Sequence, residues 1–409
     1  MTLIGRPTFA AVLCAASIQH QATAVESPGA AAIGVAKDGN AFAFDLYARL
    51  RSEQSGNLVF SPQSISTALA VTYAGARGDT AAQMARTLRF SLPQDRLSSA
   101  YAELLKALGP TGADRGYRLS LANRLWGQQG EPFLQEFLAV TRQDFGAELG
   151  LVDFKRHAEA ARGEINAWVL KQTENKIRDL VPASAIGSLT RLVLANAIYF
   201  RGDWAKQFEK SATADQPFYI APDRTVTAPL MFAKTGIGFA ARPDAALKVA
   251  ELPYKGDDLS MLVLLPDAVD GLGGLESMLT AENVGRWTAN LRRQDVRVYL
   301  PRFSVESGVD LVPTLSAMGM PLAFSAGADF SGMNGQRDLS ISAVVHKTRV
   351  DVDEQGTEAA AATGWFTQTL GLSSSELPTF RADHPFVLMI RHKPTGAILF
   401  LGRVSNPTA

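Results

Sequence analysis

The run LVLANAIYF at residues 192–200 is apolar at nearly every position. A strand with one wet face alternates apolar and polar residues, whereas a strand covered on both faces is apolar throughout. The run therefore predicts the central strand of a sheet with structure packed against both sides. The chain has 409 residues, of which 46% are hydrophobic, so it can supply those layers. This composition excludes a disordered chain, a collagen and a coiled coil.

The charge of the chain is balanced, with 40 Lys and Arg residues against 40 Asp and Glu residues. A chain with no net charge has no overall electrostatic attraction for nucleic acid or for an anionic membrane, so we expect neither as a partner. We find no repeat, no low-complexity tract and no long polar linker after about residue 40. We therefore predict a flexible segment over residues 25–36 and one interleaved domain over residues 37–409.

Residues 1–24 have the features of an export signal. Arg6 precedes the apolar run Thr8–Ser17, and Ala22 and Ala24 place small residues where a signal peptidase reads them. The run is shorter than the roughly 20 residues that span a bilayer. We predict cleavage after Ala24 and a secreted protein, either extracellular or periplasmic. A disordered alanine-rich tail is the alternative.

Cys14 is the only cysteine, and it lies inside the predicted signal. Leu13 occupies the position where a lipoprotein has a small residue, so lipidation is a minor alternative. The mature chain would then have no disulfide, no thiolate nucleophile and no cysteine ligand for a metal. The sequence also has no HExxH, GxSxG, P-loop or CxxC motif. We expect no metal, no cofactor and no enzymatic activity, and a hydrolase is the least favoured function.

Strands and helices do not alternate regularly along the chain, which favours an α+β fold over a doubly wound parallel sheet. Apolar spacing predicts a helix over residues 31–53. Ser61 is expected to cap a second helix, with Pro62 in its first turn and Gly75 at its end. Further helical patterns lie near 131–147, 157–180, 275–292 and 309–318. Further strands are predicted at 57–60, 119–126, 261–265, 296–300, 386–390 and 397–401.

The stretch AVVHKTRVDVDE at residues 343–354 is the clearest alternating strand. Its even-numbered positions from Val344 to Val352 share one apolar face, and the charged residues share the other. His346 lies on the apolar face. A hydrogen-bonded core histidine is therefore favoured over a catalytic base.

The segment EQGTEAAAATGWFTQTLGLSSSELPTF at residues 354–380 follows that strand. Gly356 supplies a permissive pivot. Strand parity then separates two sets, which are Thr357, Ala359, Ala361 and Thr363 on one side and Glu358, Ala360 and Ala362 on the other. The first set is small and uncharged, which suits entry into a closed sheet. An alanine-rich linker or a short helix is the alternative for this segment alone.

Taken together, these stretches resemble the serpins, the serine protease inhibitors that trap a protease covalently. The resemblance covers residues 37–407. The motifs that carry it occur in the family's order. They are NLVFSPQSISTALAVTYAGARGDTAAQ at 57–83, ANRLWG at 122–127, VDF at 152–154, INAWV with TENKIRDLV at 165–181, LANAIYFRGDW at 194–204, ADFSGM at 328–333, ISAVVHK at 341–347, DEQGTEAAAAT at 353–363, and DHPFVLMIRH with FLGRVSNP near the end.

The resemblance implies a large central β-sheet, further sheets, about eight or nine helices and an exposed reactive-centre loop at about residues 354–378. Two middle strands of the central sheet part to admit the cleaved loop. The residues that match the opening region are Ser61, Ser64, Asn196 and His346, with Trp204 near the point of entry. The residues that match the loop hinge are Glu354, Gly356, Thr357, Glu358, Ala359, Ala360, Ala361, Ala362 and Thr363.

The family's spacing of sixteen residues from Glu354 places the reactive bond at Leu370–Gly371. The resemblance thus implies an irreversible, monomeric inhibitor that forms a covalent 1:1 complex with a serine protease. A leucine before the cut implies a chymotrypsin-, elastase- or subtilisin-like target, because a trypsin-like enzyme needs Arg or Lys there. The alternatives are a non-inhibitory serpin with a binding or chaperone-like role and an inhibitor of cysteine proteases.

Overall fold

The computed structural model describes residues 28–109, 116–356 and 377–409. These residues form ten α-helices, of which two have six residues or fewer. The helices are α1 Ala30–Glu53, α2 Pro62–Gly75, α3 Gly78–Thr87, α4 Gln94–Leu108, α5 Gln135–Gln143, α6 Phe154–Gln172, α7 Leu272–Ser277, α8 Ala281–Thr288, α9 Leu311–Met318 and α10 Ser331–Asn334.

Fourteen strands in the described residues form two sheets, so the fold is α+β as predicted. The strands are β1 Leu58–Phe60, β2 Tyr117–Gln128, β3 Gly150–Val152, β4 Leu192–Gly202, β5 Ala214–Ala221, β6 Arg224–Arg242, β7 Leu247–Pro253, β8 Leu259–Pro266, β9 Arg292–Pro301, β10 Phe303–Asp310, β11 Ile341–Val352, β12 Thr379–Arg381, β13 Phe386–His392 and β14 Ile398–Val404. One sheet has the order β10-β11-β4-β2-β3. The other has nine strands in the order β1-β14-β13-β8-β7-β6-β9-β12, with β5 paired to β6.

Strand β4 lies at the centre of the five-stranded sheet, and all nine residues of its apolar run are buried. Leu194 and Ile198 pack into the core that contains Leu69 of α2. Val193 and other residues of opposite parity pack into a second core, which contains Ile165 of α6. The prediction that this strand is covered on both faces is therefore confirmed.

Strand β11 runs parallel to β4, with Val344 opposite Leu194 and Val350 opposite Phe200. The outer neighbours of this pair, β10 and β2, are both antiparallel to it. The five-stranded sheet therefore has two long parallel strands side by side at its middle. The predicted alternation of β11 is confirmed from His346 to Val352, where one face is fully buried and the other is half-buried.

Two helix predictions differ from the structure. Residues 275–292 form α7 and α8 rather than one helix, because the Thr280 side chain caps α8 by accepting the Asn283 N–H at 3.1 Å. The helix predicted over 157–180 ends at Gln172. Glu174 and Asn175 follow with φ of 53° and 64°, in the left-handed region that interrupts a right-handed helix.

The predicted flexible segment 25–36 is also wrong over residues 30–36, which form the first turns of α1. Ala32, Val35 and Ala36 are fully buried there, so packing against the core holds these turns in place. The predicted signal, residues 1–24, lies outside the described residues. Within the described ranges, none of the helices combines the length and hydropathy that a transmembrane span requires.

Candidate functional site

The structure brings Ser61, Ser64, Asn196 and His346 into one buried cluster. Ser61 caps α2 and Ser64 lies in its first turn, while Asn196 and His346 lie opposite each other on β4 and β11. The exposed fraction of these residues is at most 3%. With two further residues introduced below, they form the opening cluster, which is Ser61, Ser64, Asn123, Asn196, His346 and Thr348.

His346 joins the two middle strands to α2. Its Nε2 accepts the backbone N–H of Ser61 at 3.1 Å and lies 2.6 Å from the Thr348 hydroxyl. Because Nε2 accepts, the ring proton is on Nδ1, which donates to Oδ1 of Asn196 at 2.5 Å. Burial lowers the pKa of His346 to about 3, so the imidazole is neutral at physiological pH.

Asn196 extends this network to β2. Its Nδ2 donates to Ser64 Oγ at 2.9 Å and to Asn123 Oδ1 at 2.7 Å, and Ser64 Oγ also donates to Asn123 Oδ1. Three strands and one helix are thus connected through buried side chains. Separation of β4 from β11 must break the Asn196–His346 bond together with the backbone ladder.

Sequence reasoning missed two members of the opening cluster, Asn123 and Thr348. Thr348 could have been found, because it lies two residues from His346 on the same face of β11. Asn123 lies within the motif ANRLWG but gives no local signal of its role. Its partner Asn196 lies opposite it only because β2 and β4 pair in that register.

The chain turns sharply where β11 ends. Gln355 N–H donates to Asp353 Oδ1 at 2.9 Å, and Asp353 and Gly356 exchange two backbone hydrogen bonds. Gly356 has φ of 124°, and a Cβ there would lie 2.1 Å from the carbonyl oxygen of Gly202. Only glycine can occupy this position, which agrees with its predicted use as a pivot.

Trp204 and Phe208 hold this turn in place from the segment that follows β4. Trp204 donates from Nε1 to the carbonyl of Asp353 at 2.9 Å and from its backbone N–H to that of Gln355 at 3.0 Å. Phe208 N–H donates to the carbonyl of Glu354 at 2.7 Å. Trp204 therefore contacts the turn from which the predicted loop would start.

The side chain of the hinge residue Glu354 is buried and paired. Its Oε1 accepts the hydroxyl of Thr213 at 2.8 Å and lies 3.6 Å from Nη1 of Arg302. Only 4% of the Glu354 side chain is exposed. These contacts hold the first residue of the hinge against the nine-stranded sheet.

The remaining predicted loop residues lie outside the described part of the chain. They are Thr357, Glu358, Ala359, Ala360, Ala361, Ala362 and Thr363 of the hinge and Leu370 and Gly371 of the reactive bond. Among the described residues, no group of three or more His, Cys, Asp or Glu side chains is arranged to hold a metal ion.

A strand that continued from Gly356 and folded back between β11 and β4 would be antiparallel to both of them. The middle of this sheet can therefore receive one strand and turn one parallel pairing into two antiparallel pairings. Such a strand could enter only if the hydrogen bonds of the opening cluster and the contacts of Trp204 and Phe208 were broken.

Comparison with known proteins agrees with this geometry. The family model for serpin (serine protease inhibitor) matches residues 37–407. The leukocyte elastase inhibitor of Bos taurus is 47% identical over 373 residues, which cover 90% of this chain and 97% of the bovine protein. Among solved structures, uncleaved ovalbumin has a TM-score of 0.82 at 33% identity and covers 92% of this chain and 100% of its own.

A second solved structure, Serpin48 of the insect Tenebrio molitor, has a TM-score of 0.81 at 33% identity. The match covers 91% of this chain and 98% of the insect protein. The family match spans both strands of the opening sheet, the hinge and the β-strand that follows the loop. The chain belongs to the serpin family of serine protease inhibitors and is not an enzyme.

Proposed function

We propose that this protein irreversibly inhibits serine proteases that have a hydrophobic primary pocket. The target cleaves Leu370–Gly371, becomes attached to Leu370, and is trapped when the freed segment enters the five-stranded sheet. One observation carries this proposal, namely the parallel pair β4 and β11 at the middle of the sheet, with the hinge at the end of β11.

The lengths of the segment and the sheet agree. Residues 357–370 number fourteen, while β11 has 12 residues and β4 has 11. Fourteen residues in a strand span about 46 Å, at roughly 3.3 Å each. The inserted segment can therefore pair along both strands over their full length and carry an attached protease to the far end of the sheet.

The chemistry follows the ordinary acyl transfer of a serine protease. The protease serine Oγ attacks the carbonyl carbon of Leu370, and its proton passes through the protease histidine to the departing amine of Gly371. An ester then joins Leu370 to the serine, and Gly371 becomes a new N-terminus. Water would normally hydrolyse this ester, so insertion must distort the protease before hydrolysis is complete.

The energy of insertion is comparable to the stability of the protease that it must distort. About a dozen added residues at a net 0.5–1.5 kcal/mol per hydrogen bond, together with apolar burial, give about 10–20 kcal/mol. A folded protease is stable by about 5–15 kcal/mol. Because the inserted form is so much more stable, the uncleaved inhibitor is metastable and a kinetic barrier maintains it.

Leu370 determines the class of target. A leucine before the scissile bond fits an apolar primary pocket, as in chymotrypsin-, elastase- and subtilisin-like enzymes, and a trypsin-like pocket selects Arg or Lys. The name of the bovine relative, leukocyte elastase inhibitor, supports the same assignment. We therefore place elastase-like enzymes among the targets.

We also propose that the protein is secreted as a monomer after removal of residues 1–24. The apolar run and the small residues at Ala22 and Ala24 support an export signal. The family match begins at residue 37, so the signal precedes the inhibitor domain. N-terminal sequencing of the exported protein would give Val25 as its first residue, and an exported protein that starts at Met1 would contradict this proposal.

The first experiment is to incubate the protein with chymotrypsin, pancreatic elastase, subtilisin, trypsin and the cysteine protease papain, and to separate the products on denaturing gels. We expect covalent complexes with the first three enzymes and a cut after Leu370 by mass spectrometry. Trypsin should form little complex. Cleavage after Leu370 without any complex would favour a non-inhibitory serpin, and a complex with papain alone would favour inhibition of cysteine proteases.

A further inference from the structure

The solvent face of strands β6, β9 and β12 concentrates positive charge. The register places Arg297 opposite Lys234 and Arg293 opposite Gly238, all on the side of the sheet away from the buried Val296 and Val298. The same register puts Tyr299 opposite Phe232, and Arg381 of β12 beside Tyr299. We call Phe232, Lys234, Arg293, Arg297, Tyr299 and Arg381 the basic face.

Three of these cations are exposed and unpaired. Lys234, Arg293 and Arg297 make no side-chain hydrogen bond and no ion pair with any other described residue. The only carboxylate on this stretch of β9 is Asp295, opposite Gly236. On β6 and β9 this face thus carries three exposed cations and one carboxylate, although the whole chain is neutral. Glu251 of β7 lies opposite Gly238, but its carboxylate is already paired with Arg391.

An aromatic pair lies beside these cations. The rings of Phe232 and Tyr299 are 4.8 Å apart, and the guanidinium of Arg381 lies 4.7 Å from the centre of the Tyr299 ring. Both rings are half-buried, so each still presents apolar area to solvent. Aromatic residues and arginine are the side chains enriched at the centres of protein–protein interfaces.

The basic face lies next to the end of the reactive-centre loop. Strand β12 begins at Thr379, which pairs with Arg297, and Thr379 is nine residues after Leu370. Nine residues span at most about 30 Å. A protease domain of about 200–250 residues has a diameter of about 45 Å, so an enzyme engaged at Leu370 can reach this face.

We propose that the basic face is a docking surface for an acidic patch on the target protease, beside its active-site cleft. The inference rests on the proposed function, because Leu370 sets the position of the enzyme. Opposite charges would steer the encounter and raise its rate by about 10-fold or more at low salt. The aromatic pair favours a protein partner over a polyanion, since it offers apolar contact that a sulfated or phosphorylated chain does not use.

The test compares two forms of one enzyme that differ in surface charge. Succinylation converts lysine ammonium groups of chymotrypsin into carboxylates. The inhibitor variant carries Lys234→Glu, Arg293→Glu and Arg297→Glu, and a milder variant carries Gln at the same positions in case the first fails to fold. The control carries Arg86→Glu, Arg96→Glu and Lys106→Glu, an equal charge change on exposed positions of α3 and α4.

We expect the wild type to associate with succinylated chymotrypsin about 10-fold faster than the Glu variant does at about 0.05 M salt, with the Gln variant between them. The ratio should shrink at about 0.5 M salt. The control should retain at least about half of the wild-type rate. Unmodified chymotrypsin should distinguish the variants much less, and each covalent complex that forms should keep the wild-type stoichiometry.

Equal rates for the wild type and the Glu variant, or an equal loss in the control, would overturn the proposal. Equal changes with both forms of chymotrypsin would also overturn it, because the cations would then act on the inhibitor's own loop. Heparin binding that the Glu variant abolishes, without any effect on association with the protease, would assign the face to a polyanion instead.

Reversible binding to succinylated chymotrypsin whose catalytic serine is replaced by alanine separates this inference from the proposed function. If that binding requires the basic face but the active enzyme is never trapped, docking stands and the trapping mechanism fails. If trapping occurs and neither its rate nor the binding depends on the basic face, trapping stands and docking fails.

Discussion

The hydrogen bonds of the opening cluster depend on the protonation state of a single side chain, His346. It bonds to Ser61, Thr348 and Asn196 at once, and it can do so only as the neutral imidazole, which accepts at one nitrogen and donates at the other. Protonation would add a donor where the network needs an acceptor. We therefore expect the opening cluster to couple the closure of the sheet to pH.

We predict that this coupling destabilises the closed sheet in mild acid. Burial lowers the pKa of folded His346 to about 3 from 6.5, so the unfolded chain binds the proton first as pH falls. Stability from this group is complete above pH 6.5 and declines between 6.5 and about 3. At about pH 5 the loss is about 2 kcal/mol.

Urea unfolding at about pH 7.5 and about pH 5 tests this prediction. His346→Gln should show a smaller pH dependence than the wild type, because it removes the titrating group. The matched control is His157→Gln, since 70% of that side chain is exposed and it lies outside the opening cluster. Identical pH dependence in the wild type and His346→Gln would contradict the assignment.

At the scale of elements, the hinge joins a rigid strand to the segment proposed to move. β11 is held by two ladders and by the opening cluster, whereas the turn at 353–356 is held by Trp204, Phe208 and the buried carboxylate of Glu354. In the proposed mechanism, entry of the segment begins at this turn. The first residues after Gly356 would then decide whether insertion starts.

We predict that Thr357→Arg converts the inhibitor into a substrate. Arginine at this position would force an unpaired charge into the opening sheet, where burial costs several kcal/mol. On gels with chymotrypsin, the variant should be cut after Leu370 without forming a complex. Glu358→Arg is the control, because strand parity directs its side chain to the other face. Stable complexes with Thr357→Arg would contradict the insertion mechanism.

The elements that could be predicted from sequence are those whose pattern lies in a short stretch of neighbouring residues. The apolar run of β4, the alternation of β11 and the Ser61 cap of α2 each follow from neighbours in the chain. The 19-residue strand β6 was missed, because glycines at 236 and 238 and the polar residues around them weaken its strand pattern. The role of Asn123 depends on the β2–β4 register, which is non-local and leaves no sequence signature.

For the whole molecule, the proposed function requires a sheet that is not in its most stable arrangement. The closed sheet has two parallel strands where an inserted segment would make two antiparallel ladders. In the proposed mechanism, the opening cluster and the Trp204 contacts supply the barrier that delays this change. On this proposal, inhibition is a property of the fold as a whole, and cleavage of one bond outside the sheet triggers it.

Thermal unfolding before and after cleavage tests this account most directly. Thermolysin can cut the loop without being trapped, because a metalloprotease forms no ester with its substrate. A gain of about 10–20 kcal/mol in a domain of about 380 residues predicts a rise in Tm of about 10–25 °C. Cleaved Thr357→Arg should show little rise. An unchanged or lower Tm in the cleaved wild type would contradict loop insertion.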